Sequence, residues 1–200
     1  MFRYVFQVRH YVLKWLWIFL NRLKLKISGA IIGDKCRVYN GFYLLIKYGG
    51  KMFVGDNVLI LSGNYYNPLV QGIKTAIYVR EGGVLRIGNN SGISSSCIHC
   101  IKSITIGNHV QIGANTLIMD NDAHSIDFKL RRNAQNDTGE GKPVVIEDDV
   151  LIGTGCKILK GVTIGARSII GAGSIVTKNI PADCVAAGNP CKVIRNVVYE

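Results

Sequence analysis

From residue 146 onward an aliphatic side chain returns at every sixth position: Ile146, Ile152, Ile158, Ile164, Ile170 and Val176, with glycine following at 153, 165 and 171. Four places after each comes another residue able to face a core: Val150, Cys156, Val162, Ser168, Ser174 and Ile180. An α-helix has no use for this count, because 3.6 residues per turn would carry the isoleucines around every face. A single long strand has none either, since the recurrent glycines and turns would break its ladder. Short strands joined by tight turns do fit. If each side of a prism takes about six residues, every isoleucine points to the axis and the next coil stacks about 4.8 Å above it. The count therefore predicts an all-β chain wound as a hexapeptide-repeat parallel β-helix. It also runs through Ile106, Ile112 and Ile118, where the next place, 124, holds a histidine.

The rhythm is ragged in "IIGDKCRV", "FVGDNVLI" and "LRIGNNSGI", which read as the first coils, with an irregular turn around Asn64 to Pro68. It fails altogether in "SIDFKLRRNAQNDTGEGK", residues 125–142, a polar stretch that reads as a loop ejected from one corner. Such a loop inside a regular solenoid is more often functional than accidental. The expected organisation is an N-terminal amphipathic helix (1–28), a β-helix domain (29–194) carrying the loop 125–142, and a short tail (195–200).

The chain has 200 residues, 23 glycines but only four prolines, and a formal charge of +11, which describes one folded domain. The charge alone would suit nucleic acid, an anionic membrane or a phosphorylated ligand. Its distribution is uneven: the first carboxylate is Asp34, so Arg3, Arg9, Lys14, Arg22, Lys24 and Lys26 precede any acid. Six scattered cysteines lack the dense spacing of a secreted disulfide scaffold and imply reduced thiols in the cytoplasm. The apolar run from Trp15 to Leu20 is too short to span a bilayer. Arg3, Gln7, His10, Lys14 and Asn21 form a polar stripe on a helix otherwise aromatic and aliphatic. That helix suits either the inner surface of an anionic membrane, through residues 1–26, or packing on the prism or a neighbouring subunit.

The run "VLIGTGCKILKGVTIGARSIIGAGSIVTKNIPADCVAAGNPCKVIR", together with "DNDAHSID" before a long insertion, resembles the left-handed β-helix acyltransferases, the superfamily of galactoside and maltose O-acetyltransferases. The resemblance covers about residues 29 to 194 and supplies the left hand, which the count does not. It implies a homotrimer using acetyl-CoA as co-substrate and no metal. His124 then serves as general base, taking the proton of an acceptor hydroxyl. Asp120, Asp122 and Asp127 are candidates to orient the ring, Asp122 foremost, with a backbone carbonyl as the alternative. Thr154 matches the residue whose backbone N–H stabilises the thioester oxyanion. Ala172 matches a contact to the pantetheine arm, and Lys178, Lys192 and Arg195 match cations near the coenzyme phosphates. Ser95, with Asp120 and Arg131, is expected at the acceptor. Leu151 stands where some relatives carry an aromatic.

The implied activity is acetylation of a sugar hydroxyl during surface polysaccharide or lipopolysaccharide assembly, on a small or lipid-linked acceptor, with no nucleic-acid partner. Two other readings stand beside it: N-acetylation of an amino-sugar nucleotide, and a non-catalytic binding protein that keeps the prism. Cys97, His99, Cys100 and His109 invite a metal, but the spacings among His99, His109 and His124 do not reproduce the three-histidine set of the β-helix carbonic anhydrase, and no second Cys-x-x-Cys completes a structural zinc site. Neither Cys97 nor Cys100 stands in a motif that would activate a nucleophile. Flat threonine arrays of an ice-binding prism are absent from the sequence.

Overall fold

The computed structural model describes residues 2–63, 67–70, 72–133, 137 and 139–199, with side chains from residue 11 onward. The turn expected at Asn64 to Pro68 thus lies partly outside the described residues, as do Arg3, Gln7 and His10 of the polar stripe. Three parallel sheets enclose one axis. Sheet A stacks Ile31–Ile32, Lys51–Val54, Val84–Ile87, Ser103–Ile106, Val144–Ile146 and Thr163–Ile164. Sheet B stacks Arg37–Tyr39, Leu59–Leu61, Gly92–Ser94, Gln111–Ile112, Leu151–Ile152, Ile169–Ile170 and Cys184–Gly188. Sheet C stacks Tyr43–Ile46, Ala76–Val79, Cys97–Cys100, Leu117–Met119, Lys157–Ile158 and Ile175–Val176.

The count of six becomes three columns. Ile106, Ile146 and Ile164 stack on sheet A, Ile112, Ile152 and Ile170 on sheet B, and Ile118, Ile158 and Val176 on sheet C. All of them are at most 3% exposed, so the aliphatic every sixth place is the core itself. The second set, Val150, Cys156, Val162, Ser168, Ser174 and Ile180, is buried as well and fills the corners. Its two serines survive there because each hydroxyl finds a carbonyl, Ser168 on Pro181 and Ser174 on Gly171.

Corners turn tightly because successive coils touch. A Cβ on Gly88 would lie 2.5 Å from the carbonyl carbon of Gly107 in the next coil. At that corner, between sheets A and B, side chains catch the N–H groups left by the turn. Asp56, Asn89, Asn108 and Asp148 accept from the backbone of Asp34, Asp56, Asn89 and Asn108 respectively, at 2.7–2.9 Å.

The first coil has no coil before it, so half of its carbonyls face outward. Helix α1 (Phe2–Ile27) covers them. Asn21, 3% exposed, donates its amide to the carbonyls of Val38 and Asn40 at 2.9 and 2.8 Å, and Lys24 Nζ donates to the Phe42 carbonyl at 2.6 Å. Lys14 lies over the Tyr39 ring and Leu25 is fully buried in the core. The described part of the polar stripe, Lys14 and Asn21, therefore faces the prism rather than water. At the opposite end Cys191–Asn196 turns back antiparallel on Cys184–Gly188, beyond the coils proper.

Replacing Asn21 by alanine strips two buried carbonyls of their donor. A loss of about 1–3 kcal/mol is expected from the chemical denaturation midpoint, with the coil content by circular dichroism unchanged.

Candidate active site

The rhythm stops at Asp120 for a visible reason. Its carboxylate is fully buried and accepts the N–H groups of Ile101, Lys102 and Ser103, the turn of the preceding coil, at 2.7–2.8 Å. Its carbonyl accepts from Lys142 N at 2.8 Å, and Asn121 bridges to Gly141. The chain thus leaves the prism at 120–121 and returns at 141–142 through a closed neck. Asp120 is no acceptor ligand, as the resemblance suggested, because all its capacity is spent on the frame.

Beyond the neck the backbone turns sharply. Ala123 takes φ +64°, Asn121 Oδ1 accepts its N–H at 2.9 Å, and His124 N–H donates to the Asp122 carbonyl at 2.7 Å. A hydrogen bond across a single left-handed residue is the strained form of γ-turn. It throws the imidazole outward, where the side chain is 71% exposed. Gly139 on the returning strand lets the neck close, since a Cβ there would meet the nitrogens of Ala123 and His124 at 2.8 and 3.0 Å.

The carboxylate that holds the ring is Asp137, not Asp122. Asp137 Oδ2 stands 2.5 Å from His124 Nδ1, and Oδ1 accepts Ser125 N–H at 2.7 Å. The Ser125 N–H first, and then the His124 ring, hold the Asp137 carboxyl below the ordinary carboxylate range. An ionised Asp137 can only accept, so Nδ1 carries a proton, and in the neutral form of the ring the lone pair lies on Nε2. Asp122 instead pairs with Lys160, which also reaches Glu140 at 2.8 Å. Those two carboxylates raise the lysine's pKa, and the trio clamps the outgoing and returning strands of the loop to the next coil. Asp127, the third candidate, caps the short helix α2 (Phe128–Arg131) through Lys129 N–H. Arg131 Nη1 donates to the carbonyls of Ser125 and Ile126, both at 2.7 Å, so the acceptor role expected for it competes with a role inside the loop.

Ser95 is also placed otherwise than expected. It is fully buried, at φ +37°, and its hydroxyl accepts Gly63 N–H at 2.9 Å. Side chains alternate along a strand, so a slip of one residue exchanges inside for outside, and Ser94 is the neighbour on the outer face of sheet B. Leu151 is 45% exposed on that sheet.

Thr154 and Ala172 lie on a different corner, between sheets B and C. Among the described residues nothing accepts their backbone N–H groups, in contrast to the capped corner between sheets A and B. The Thr154 hydroxyl is spent on the Ala114 carbonyl at 2.6 Å, which leaves the backbone as that residue's contribution. Lys192 pairs in register with Ala187 above the same corner, where a Cβ on Gly171 would lie 2.8 Å from that of Ala187. Lys178 follows the last strand of sheet C, on the corner from which His124 emerges. Arg195, opposite Val185, is exposed on the outer strand of sheet B. The expected set is therefore divided between two corners, separated by the width of sheet C. The outer face of that sheet is an apolar groove of about 520 Å³ that includes Tyr43, Leu45, Tyr78, Leu117 and Met119. His99 stacks on Tyr78 there, with ring centroids 5.0 Å apart. Among the described residues no three His, Cys, Asp or Glu side chains are grouped to hold a metal.

The depressed Asp137 carboxyl contributes to loop anchoring only while ionised. Anchoring is complete above the ordinary value of 3.8 and is lost as pH falls through the lower value it has in the fold. Pepsin should then cut first within 125–142 below that pH. Asp137→Ala should let trypsin cut at Lys129, Arg131 or Arg132 at neutral pH, about tenfold faster than in the unaltered chain. Equal rates would detach Asp137 from the loop's order.

Residues 143–178 match the family model described as bacterial transferase hexapeptide (six repeats). The chain is 38% identical over 126 residues to the galactoside O-acetyltransferase of Escherichia coli (strain K12), covering 62% of this chain and 60% of that protein. It spans about half the length of the curated relatives it matches, 46% and 60% for the first two. The maltose O-acetyltransferase structure from Clostridium difficile 630 superposes with a TM-score of 0.56 and 33% identity, covering 71% of this chain and 67% of that one. A hexapeptide-repeat acetyltransferase from Vibrio cholerae O1 biovar eltor, solved with acetyl coenzyme A, gives 0.58 and 28%, covering 90% and 76%. With the columns of isoleucine, the three parallel sheets and these matches together, the chain belongs to the hexapeptide-repeat, left-handed β-helix acyltransferase family.

Proposed function

We propose that this protein transfers the acetyl group of acetyl-CoA to a sugar hydroxyl, with His124 as general base. The observation that carries the reading is the exposed imidazole with Asp137 on Nδ1 and Nε2 free. Nε2 takes the acceptor hydroxyl's proton as the oxygen attacks the thioester carbonyl. The Thr154 N–H stabilises the oxyanion. When the C–S bond breaks, His124 returns the proton to the thiolate, so the products are the sugar ester and free coenzyme A. Exposed Ala172 leaves room for the pantetheine arm, and Lys178, Lys192 and Arg195 are the cations for the phosphates. The relatives named for galactoside and maltose support a sugar acceptor. An acceptor drawn from surface polysaccharide or lipopolysaccharide assembly remains part of the proposal.

Cysteine chemistry does not compete. All six thiols are free, five of them buried, and burial pushes Cys36 up to about 11 and Cys100 up to about 12. Free thiols also suit the reducing cytoplasm, where acetyl-CoA is made.

The division between corners makes one copy insufficient. A second copy whose Thr154 corner abuts the His124 corner of the first completes the site, and this contact joins unlike surfaces. Unlike surfaces close into rings, and a homotrimer is the ring proposed here.

Thiol release from acetyl-CoA against a panel of sugars and amino sugars tests the activity. His124→Ala is expected to reduce turnover by about 10²–10⁴-fold and Asp137→Asn by about tenfold. Preference for an amine acceptor would favour N-acetylation, and unchanged turnover in His124→Ala would remove the base. A mixing experiment tests the shared site. His124→Ala and Ala172→Trp are each inactive alone, and reassembled together in equal amounts they should recover about a quarter of the wild-type activity. No recovery would put both residues in one copy's site.

A further inference from the structure

The face of α1 turned away from the prism is built for a surface other than water. Tyr11, Val12, Trp15, Leu16, Phe19, Leu20, Leu23 and Ile27 are each 42–76% exposed along it, while Asn21 on the opposite face is 3% exposed. Along the described part of the helix, Asn21 and Lys24 are spent on the first coil's carbonyls, Lys14 lies over the Tyr39 ring, and an apolar arc is left outside. An exposed patch of this extent marks a contact surface. No helix among the described residues is long and apolar enough to cross a membrane.

Charge identifies the occupant. Residues 1–55 carry ten Lys and Arg against the single carboxylate Asp34, a net +9 of the chain's +11. Those residues are α1 and the first coils, so nearly all the net charge gathers at the end of the prism that α1 covers. Pairing this end with the same end of a second copy would set two such clusters against each other. An anionic lipid surface has the opposite sign, and the arc of Trp15, Tyr11 and Phe19 is of the kind that settles at the headgroup level. Tyr48, 93% exposed in the turn after the first coil, adds an aromatic at the same end.

We propose that α1 lies in the interface plane of an anionic bilayer with Trp15, Phe19 and Leu23 inserted, and that the prism stands on it by its N-terminal end. His124 follows the fourth coil, three steps of about 4.8 Å from the first, so the site would stand on the order of 15 Å above the first coil, with α1 between that coil and the headgroups. A glycan attached to a lipid reaches that height. The docking itself does not depend on the acetyl-transfer reading.

Flotation of the full chain with phosphatidylcholine vesicles, with and without about 30% phosphatidylglycerol, tests the proposal. The expected result is binding to the anionic vesicles, weakened by salt, and a loss of at least about tenfold in Trp15→Glu/Phe19→Glu, whose altered side chains lie outside the core. Circular dichroism and the oligomeric state of the variant should match the unaltered chain. Absence of vesicle binding by the unaltered chain would overturn the proposal, as would equal binding by the variant. Dissociation of the oligomer in the variant would overturn it too, since the apolar arc would then be a contact between copies.

Discussion

Each inner coil of this protein is held by hydrogen bonds to the coils above and below it, and that arrangement is stable only if the register never slips. A slip of one residue would turn each inward isoleucine to the solvent. The columns of Ile112, Ile152 and Ile170, or of Ile118, Ile158 and Val176, make such a slip costly at every level at once. Corners without room for a side chain reinforce it, as where Gly88 meets Gly107. The result is a frame in which any residue's height and face are set by its place in the count, and that is how functional groups are positioned here.

A column built from coil-to-coil bonds has two ends that are unlike its middle. At the first coil the missing neighbour is replaced by side-chain donors from a helix, Asn21 and Lys24. This explains why Asn21 and Lys24 face inward. With that face of the helix committed to the frame, the aromatic and aliphatic residues on the other face, from Tyr11 to Ile27, are left outward. The exposed arc is thus a consequence of how the open end is sealed, and the concentration of Lys and Arg in residues 1–55 gives that end its positive charge.

The β-helix was legible in the sequence because period six is incompatible with helix and flat strand alike. The burial of Ser168 and Ser174 was legible too, since position in the count outranks residue type. The neighbourhood of His124 was harder to read, for physical reasons. Asp120 and Asp122 lie close in sequence, but a carboxylate beside a turn is as able to satisfy the frame as a ring. Three N–H groups claimed the first and Lys160 the second. Asp137 sits thirteen residues from His124 in a segment without periodicity, so nothing local announces that the loop folds back. Ser95 failed by parity: an alignment uncertain by one residue cannot tell the inner face of a strand from the outer. The groups read from the repeat itself, Thr154 and Ala172, fell on a shared corner.

A loop is a poor place to hold a base unless the loop is itself held. Here the neck is closed by Asp120 and the Asn121–Gly141 bridge, and Lys160 ties Asp122 and Glu140 to the next coil. Seventeen residues, 123–139, lie between those fixed points, and within them Asp137 engages both the Ser125 amide and the His124 ring. The left-handed Ala123 then sets the direction in which the ring leaves. The ring's orientation is determined within one chain, whereas the Thr154 corner, to which the proposed mechanism assigns the oxyanion, lies on another edge of the prism. Separating the two lets the rigid frame fix each corner independently, and in the proposed oligomer the meeting of the two corners is left to the packing of one prism against the next.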